Sequence, residues 1–302
     1  THYCISRSDS LVLLFISSIE RSGSTILDLS LSRYSNVISL GEVWRVIKPH
    51  GAGIESVLSR DCTCGKQVEN CMLWSGVMHR LSAIDESAPL KERYEILLEH
   101  ISQVYGDDVI VVDSSKSLQA LKSVRELSGV DVKVLYTVRD VRGWMESIEL
   151  ADKRKKELSW GRIFEPDFKQ FRLSYLRHNI LRKIPLWLPH EWLLRNSRLK
   201  SGIRASGLES ISISYEAFIF DTDAVLARIE KFASLTPVVE QPEQVPQGLH
   251  IVRGNRTAFT SKPASGMLYN VSWMRRWKWS AILAFLPWVS IRNKRDVYYF
   301  EG

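Results

Sequence analysis

The chain has 302 residues, 45% of them hydrophobic and 25% charged, which suits a folded globular protein with one large core or two small ones. No apolar run reaches the roughly 18 residues of a spanning helix, and the opening THYCISRSDS lacks the basic-then-apolar order of a signal peptide, so a cytoplasmic location is expected. A net charge of +7 biases the surface toward anions without choosing between nucleotide, nucleic acid, acidic lipid and sulfated sugar, and four cysteines are too few for a disulfide scaffold.

In chain order, residues 11–17 (LVLLFIS) read as a strand buried on both faces. A helix follows over Ile26 to Arg33, with Ser22 or Ser24 able to cap it. Two further buried strands are expected in DVIVVD (108–113) and VKVLYTV (132–138), separated by a helix from Leu118 to Leu127 that ends at Ser128-Gly129. LESISISYE (208–216) supplies a fourth strand, before the helical AVLARIEKFASL. Strands alternating with helices imply an α/β fold with a central parallel sheet flanked by helices. Residues 43–105 and 150–206 are less regular and rich in Trp, Arg and Lys, and read as insertions over the carboxyl edge of the sheet, where open α/β folds place ligands. No repeat, low-complexity tract or Pro/Gly/Ser linker divides the chain, so a single domain over 1–302 is expected. Near the end, WMRRWKWSAILAFLPWVSIR reads either as a helix packing a Trp/Leu stripe on the core or as an interfacial helix making peripheral membrane contact.

The chemistry concentrates at strand exits. After the first strand, Glu20-Arg21-Ser22-Gly23-Ser24-Thr25 leads into a helix, an arrangement that offers bare backbone N–H groups and a positive helix end to a phosphate. A Walker-type loop would need Gly five residues before Gly23 and Lys after it, but Ser18 and Ser24 stand there. The cation is instead Arg21, on the approach to the loop, where it can neutralise a bridging or leaving oxygen. A generic turn with a solvated arginine is the alternative. VRDVRGWMES places Arg139 at the exit of another strand and Ser147 two helical turns on, able to hold a second phosphate together. The alternative is a surface cluster of exposed ion pairs.

ERSGSTILDLSL resembles the 5′-phosphosulfate loop of the sulfotransferases, and VRDVRGWMES resembles their 3′-phosphate motif. YEAFIFDTDAVLARIEKFASL (215–235) is similar to the family's Tyr-Glu-Asp-Leu segment. HIVRGNRTAF (250–259) resembles the His-x-x-x-Gly-Asn C-terminal loop of a branch with many bacterial members, and CTCGKQVENCMLW (62–74) a Cys-x-Cys-Gly…Cys-x-x-Trp element of the same branch. The arginine expected three residues after Gly-Asn is absent at Ala258, which leaves Arg253 and Arg256 as candidates.

The resemblance implies a P-loop-NTPase-like sulfotransferase fold with helical insertions. It implies 3′-phosphoadenosine 5′-phosphosulfate (PAPS) as donor, in-line transfer of the sulfuryl group to an acceptor hydroxyl or amine, and no required metal. Arg21 would stand by the bridging oxygen, with Ser22, Gly23, Ser24 and Thr25 around the 5′-phosphate. Arg139 and Ser147 would meet the 3′-phosphate, Tyr215 the adenine, and Gly254, Asn255 and Arg256 would complete the cofactor site.

In ISLGEVWR, Glu42 is the candidate base, because tyrosylprotein sulfotransferases carry a catalytic Gly-Glu-Glu at a similar distance beyond the loop. A salt bridge to Arg45 is its alternative role. Lys116 resembles the lysine that contacts the transferring group; otherwise it is a solvated lysine at the sheet edge. Tyr215 could equally be a core tyrosine. Cys62, Cys64 and Cys71 are open to three readings: packed thiols, a disulfide, or a zinc site with His79 as the fourth ligand. The expected partner is a small-molecule or carbohydrate acceptor, not nucleic acid. The rival readings are a P-loop-type kinase with a degenerate loop and a non-catalytic nucleotide- or anion-binding protein.

Overall fold

The computed structural model describes residues 11–48, 54–159, 184, 186–236, 248–254, 259, 269 and 271–299. Six strands, β1 (Val12–Ser18), β2 (Val37–Gly41), β3 (Ile110–Asp113), β4 (Asp131–Val138), β5 (Ser210–Ser214) and β6 (Leu249–Arg253), form one sheet in the order β5-β4-β1-β3-β2-β6. Every pairing is parallel. Alternation along β1 explains why both faces are covered. Leu14 and Ile16 pack with Leu27 and Leu31 of α1 (Ser24–Leu31) and with Phe218, Val225 and Ile229 on one face. Leu13 and Phe15 belong to the larger cluster on the other face, with Trp74, Tyr94, Leu121 and Trp192.

After β1 the chain moves toward β3 and β2, and after β4 it moves toward β5. The carboxyl ends of β1 and β4 therefore flank the point where the chain direction diverges, which is where open parallel sheets form their ligand crevice.

The expected strands and helices appear within about two residues of their predicted ends. β2 and β6 are strands that the sequence pattern does not assign; HIVRG resembles a loop in sequence, yet Leu249–Arg253 pairs with β2. Neither Ser22 nor Ser24 caps α1. Its N-cap is Gly23, at φ 89°, with no side-chain cap.

Between β2 and β3 lie α2 (Val43–Ile47), α3 (Glu55–Leu58), a 3-10 turn (Val68–Asn70), α4 (Trp74–Ser82) and α5 (Leu90–Tyr105). Buried Arg93 ties this insertion together by donating to the carbonyls of Ile47, Asp85, Glu86 and Ala88. Helices α6 (Leu118–Arg125), α7 (Val141–Ser159), α8 (Trp187–Ser206), α9 (Tyr215–Phe220) and α10 (Thr222–Ala233) follow.

The C-terminal stretch is two short helices, α11 (Trp277–Ala284) and α12 (Pro287–Asn293), because Pro287 starts a new helix. It divides its tryptophans: Trp273 and Trp279 are buried, the latter donating to Glu146 at 2.9 Å, whereas Trp277, Phe285 and Trp288 are exposed. Among the described residues no helix is long and apolar enough to cross a membrane.

Candidate functional site

The loop after β1 and the exit of β4 adjoin. Arg139 is buried, and its Nη1 donates to the backbone carbonyl of Arg21 at 3.2 Å. Its guanidinium lies 4.5 Å from the centre of the Tyr215 ring, a cation–π contact, and the same ring rests on Gly23. Glycine is required there twice over. The backbone is left-handed, and a Cβ would stand 2.4 Å from Tyr215 Cδ2. Trp192 Nε1 fixes the Arg139 carbonyl at 3.0 Å, and Trp144 Nε1 fixes that of Glu20 at 2.8 Å. Arg195 pairs with the Glu20 carboxylate, so the acid at the loop's entrance is neutralised.

The reading of Arg139 as one of a set of exposed surface pairs is thus overturned. Its neighbour Asp140 is also fully buried and pairs with Arg142, while Arg139 turns to the loop. Among the described residues nothing hydrogen-bonds Ser22 Oγ or Arg139 Nε, although both atoms are buried. Buried donors with no partner are costly. Together with an uncapped helix amino end, they suit the oxygens of a phosphate or sulfate. Ser24 is buried at that helix start, and Thr25 and Ser147 are half-buried, the latter on α7.

A second group forms at the ends of β2 and β3. Glu42 Oε1 accepts from Lys116 Nζ at 3.0 Å, and Glu42 Oε2 pairs with Arg45 Nη1 at 2.9 Å. Lys116 is therefore not a solvated edge lysine; its side chain is 18% exposed and aimed at Glu42. The expected Arg45 pair thus forms, and an unexpected Lys116 contact joins it in one carboxylate clamp.

Lys116 also holds a left-handed backbone, φ 62°, as Arg21 does at 66°. Among the described residues only Ser234, which ends α10, shares this conformation without being glycine. Such backbone costs of order 1–3 kcal/mol per residue and persists where its surroundings enforce it. At Lys116 the enforcement is visible. Ser115 donates through its N–H and its hydroxyl to Asp113 Oδ1, at 2.8 and 2.5 Å, while its oxygen accepts the Trp44 N–H at 2.8 Å. Tyr94 holds the other Asp113 oxygen at 2.7 Å.

Burial pushes Asp113 up to about 7, against the pull of these bonds. Asp28 behaves likewise. Burial raises it to about 6, although Ser39 and Ser114 both donate to it and Lys116 stands near. Asp28 was missed in the sequence. Its signal is a lone carboxylate in the apolar helical run ILDLSL.

A third buried acid, Glu216, accepts the Asp140 N–H at 3.1 and 3.2 Å and the Tyr269 hydroxyl at 3.3 Å. Burial, then the charge of Asp140, raises it to about 7. Tyr215 itself starts α9 and is buried against the loop, so it is neither a strand residue nor a free face.

On the far side of Glu42, the Arg253 carbonyl accepts the Glu42 N–H at 2.8 Å. Burial and the neighbouring Arg60 and Arg45 hold Arg253 below the usual arginine value, and the buried Nε atoms of Arg253 and Arg60 have no partner among the described residues. Arg253 is a candidate from the sequence, but Arg60 is not, since it lies far from Arg253 in the chain. Gly254 follows exposed at the end of β6, whereas Asn255 and Arg256 lie outside the described residues. His79 is exposed on α4, away from the cysteines; the imidazole that meets them is that of His250.

No family model and no curated protein matches the chain. Among solved structures, it is similar to a sulfotransferase domain from the curacin biosynthetic pathway over 93% of this chain and 99% of that one, at 18% identity and a TM-score of 0.45. It is also similar to a sulfotransferase domain from the Synechococcus PCC 7002 olefin synthase, over 93% of this chain and 96% of that one, at 14% identity and a TM-score of 0.43.

Proposed function

We propose that this protein is a sulfotransferase that uses PAPS as donor and sulfates a hydroxyl or amine of a small-molecule or carbohydrate acceptor. The observation that carries the reading is the junction of the β1 loop and the β4 exit. Arg139 donates to Arg21's own carbonyl, and buried Ser22 Oγ and Arg139 Nε are left without partners beside an uncapped helix start. Two arginines at adjacent strand ends, the side chain of one held on the backbone of the other, suit the two phosphates of one nucleotide. The bound donor supplies an activated sulfuryl group, and the chain supplies charge, position and a proton acceptor.

In this reading the amides of Gly23 to Thr25 and the Ser22 hydroxyl hold the 5′-phosphate, and Arg139 with Ser147 the 3′-phosphate. Arg21 and Lys116 carry charge for the leaving and transferring oxygens. Glu42 is the base, since each oxygen of its clamped carboxylate keeps lone pairs able to accept the acceptor's proton. Acidic Glu20 is neutralised by Arg195 and so opposes anion binding less. A loop whose glycine is preceded by Arg21-Ser22 and followed by serine has no lysine to grip a triphosphate, which favours this reading over a kinase.

The test is turnover. Incubated with PAPS carrying labelled sulfate and a library of hydroxyl and amine acceptors, the protein is expected to transfer label and release adenosine 3′,5′-bisphosphate. Transfer of label from γ-labelled ATP instead would give the chemistry to a kinase.

A further inference from the structure

One cluster lies outside this chemistry. Cys62, Cys64, Cys71 and His250 each offer a ligand atom, and these four atoms lie within 4.8 Å of one another. Cys71 Sγ is 3.7 Å from Cys64 Sγ and 3.7 Å from Cys62 Sγ, and His250 Nδ1 is 3.3 Å from Cys71 Sγ and 3.9 Å from Cys62 Sγ. A tetrahedral ion with metal–sulfur bonds of about 2.3 Å and a metal–nitrogen bond of about 2.0 Å spaces its sulfurs about 3.8 Å apart and sulfur from nitrogen about 3.5 Å. We propose that these residues form a Cys3His site for one structural zinc ion.

The surroundings agree with a ligand set. The Tyr105 hydroxyl lies 3.0 Å from His250 Nε2, an outer partner that turns Nδ1 toward the sulfurs. Backbone N–H groups of Leu73 and Trp74 point at Cys71 Sγ and that of Cys64 at Cys62 Sγ, as thiolates need in a buried place. Gly65, at φ 85°, turns the chain after Cys64, and its N–H bonds the Cys62 carbonyl at 3.0 Å.

His250 is also held in place by its strand. Thr63 donates its hydroxyl to the Leu249 carbonyl at 3.1 Å and accepts the Ile251 N–H at 2.8 Å, bracketing His250, while Trp74 Nε1 bonds the His250 carbonyl at 2.7 Å. A disulfide would join only two of the three sulfurs and leave the third beside an unused imidazole. Three soft thiolates and an imidazole in tetrahedral spacing select zinc over magnesium or calcium.

Zinc binding would displace the three thiol protons and fasten the insertion after β2 to edge strand β6. It would also set Arg60, two positions before Cys62, and Arg253, three after His250, beside Glu42. The test needs no transferase activity and is independent of it. Metal analysis of the full chain, expressed with zinc supplied, is expected to find one zinc per chain. Cobalt exchange should give thiolate-to-metal charge transfer with the intense visible bands of a tetrahedral ion. His250→Cys should keep the metal and shift those bands, while Cys64→Ser and His250→Ala lose it. Substoichiometric metal in the wild type with no cobalt spectrum, or a disulfide among these cysteines by mass spectrometry, overturns the proposal.

Discussion

Substituting Gly23 by alanine tests the contact on which the nucleotide-binding junction rests. The residue sits at φ 89°, and an added Cβ would meet Tyr215 Cδ2 at 2.4 Å and Cε2 at 3.1 Å. Left-handed backbone costs alanine about 1–2 kcal/mol. Forcing a methyl group into the buried ring adds about 1–3 kcal/mol, and the retreating ring weakens its hold on the Arg139 guanidinium, worth about 1 kcal/mol. Gly23→Ala should therefore destabilise the protein by roughly 3–6 kcal/mol in urea unfolding, and weaken binding of adenosine 3′,5′-bisphosphate as well. The discriminating assay is a double-mutant cycle with Tyr215→Leu. Removing the ring relieves the clash but not the backbone strain, so the two changes should couple by about 1–3 kcal/mol. Strictly additive costs would mean that the ring does not rest on Gly23, and the reasoning that joins the β1 loop to Arg139 through Tyr215 would fail.

Other outcomes follow from the same geometry. Asp28, Asp113 and Glu216 sit at about 6, 7 and 7, each above its unfolded value, so the native state binds more protons than the unfolded chain in that interval. Stability should fall as pH rises from about 4 to about 7, and Asp113→Asn should flatten the slope of unfolding free energy against pH; an unchanged slope contradicts the assignment. Glu42→Gln should keep nucleotide affinity and lose at least about 10²-fold in rate, and retained turnover would move the base elsewhere. Ser115→Ala leaves the Trp44 N–H without its partner and frees the turn that carries Lys116, so it should cost about 1–3 kcal/mol by urea titration and slow turnover; full activity would separate Lys116 from catalysis.

The parallel sheet was legible because β1 and β3 are near-continuous apolar runs and β4 is mostly apolar beyond Lys133, as a sheet covered on both faces demands. β2 and β6 were not. Each is five residues long, β2 ends in left-handed Gly41, and β6 carries His250 and Arg253, so neither shows a period. Arg21, Arg139, Glu42 and Lys116 could be nominated from their positions at strand exits. Their partners could not, because pairings such as Glu42 with Lys116, or Arg139 with the Arg21 carbonyl, depend on which strands lie side by side. The same holds for the cysteines. His79 was nearest in sequence, whereas strand β6 brings His250 to them from 179 positions away. Asp28 and Glu216 were hidden for a different reason: an acid in an apolar segment signals burial only when its hydroxyl donors, here Ser39, Ser114 and Tyr269, are known.

The central claim is that Arg21 and Arg139 serve the two phosphates of one adenine nucleotide, and calorimetry with paired ligands tests it most directly. Without magnesium, the wild-type protein is expected to bind adenosine 3′,5′-bisphosphate at least about 10-fold more tightly than adenosine 5′-monophosphate. Arg139→Gln should erase that preference and leave the monophosphate nearly unchanged. Equal affinity for the two nucleotides in the wild type, or preference for ATP with magnesium, would contradict the account.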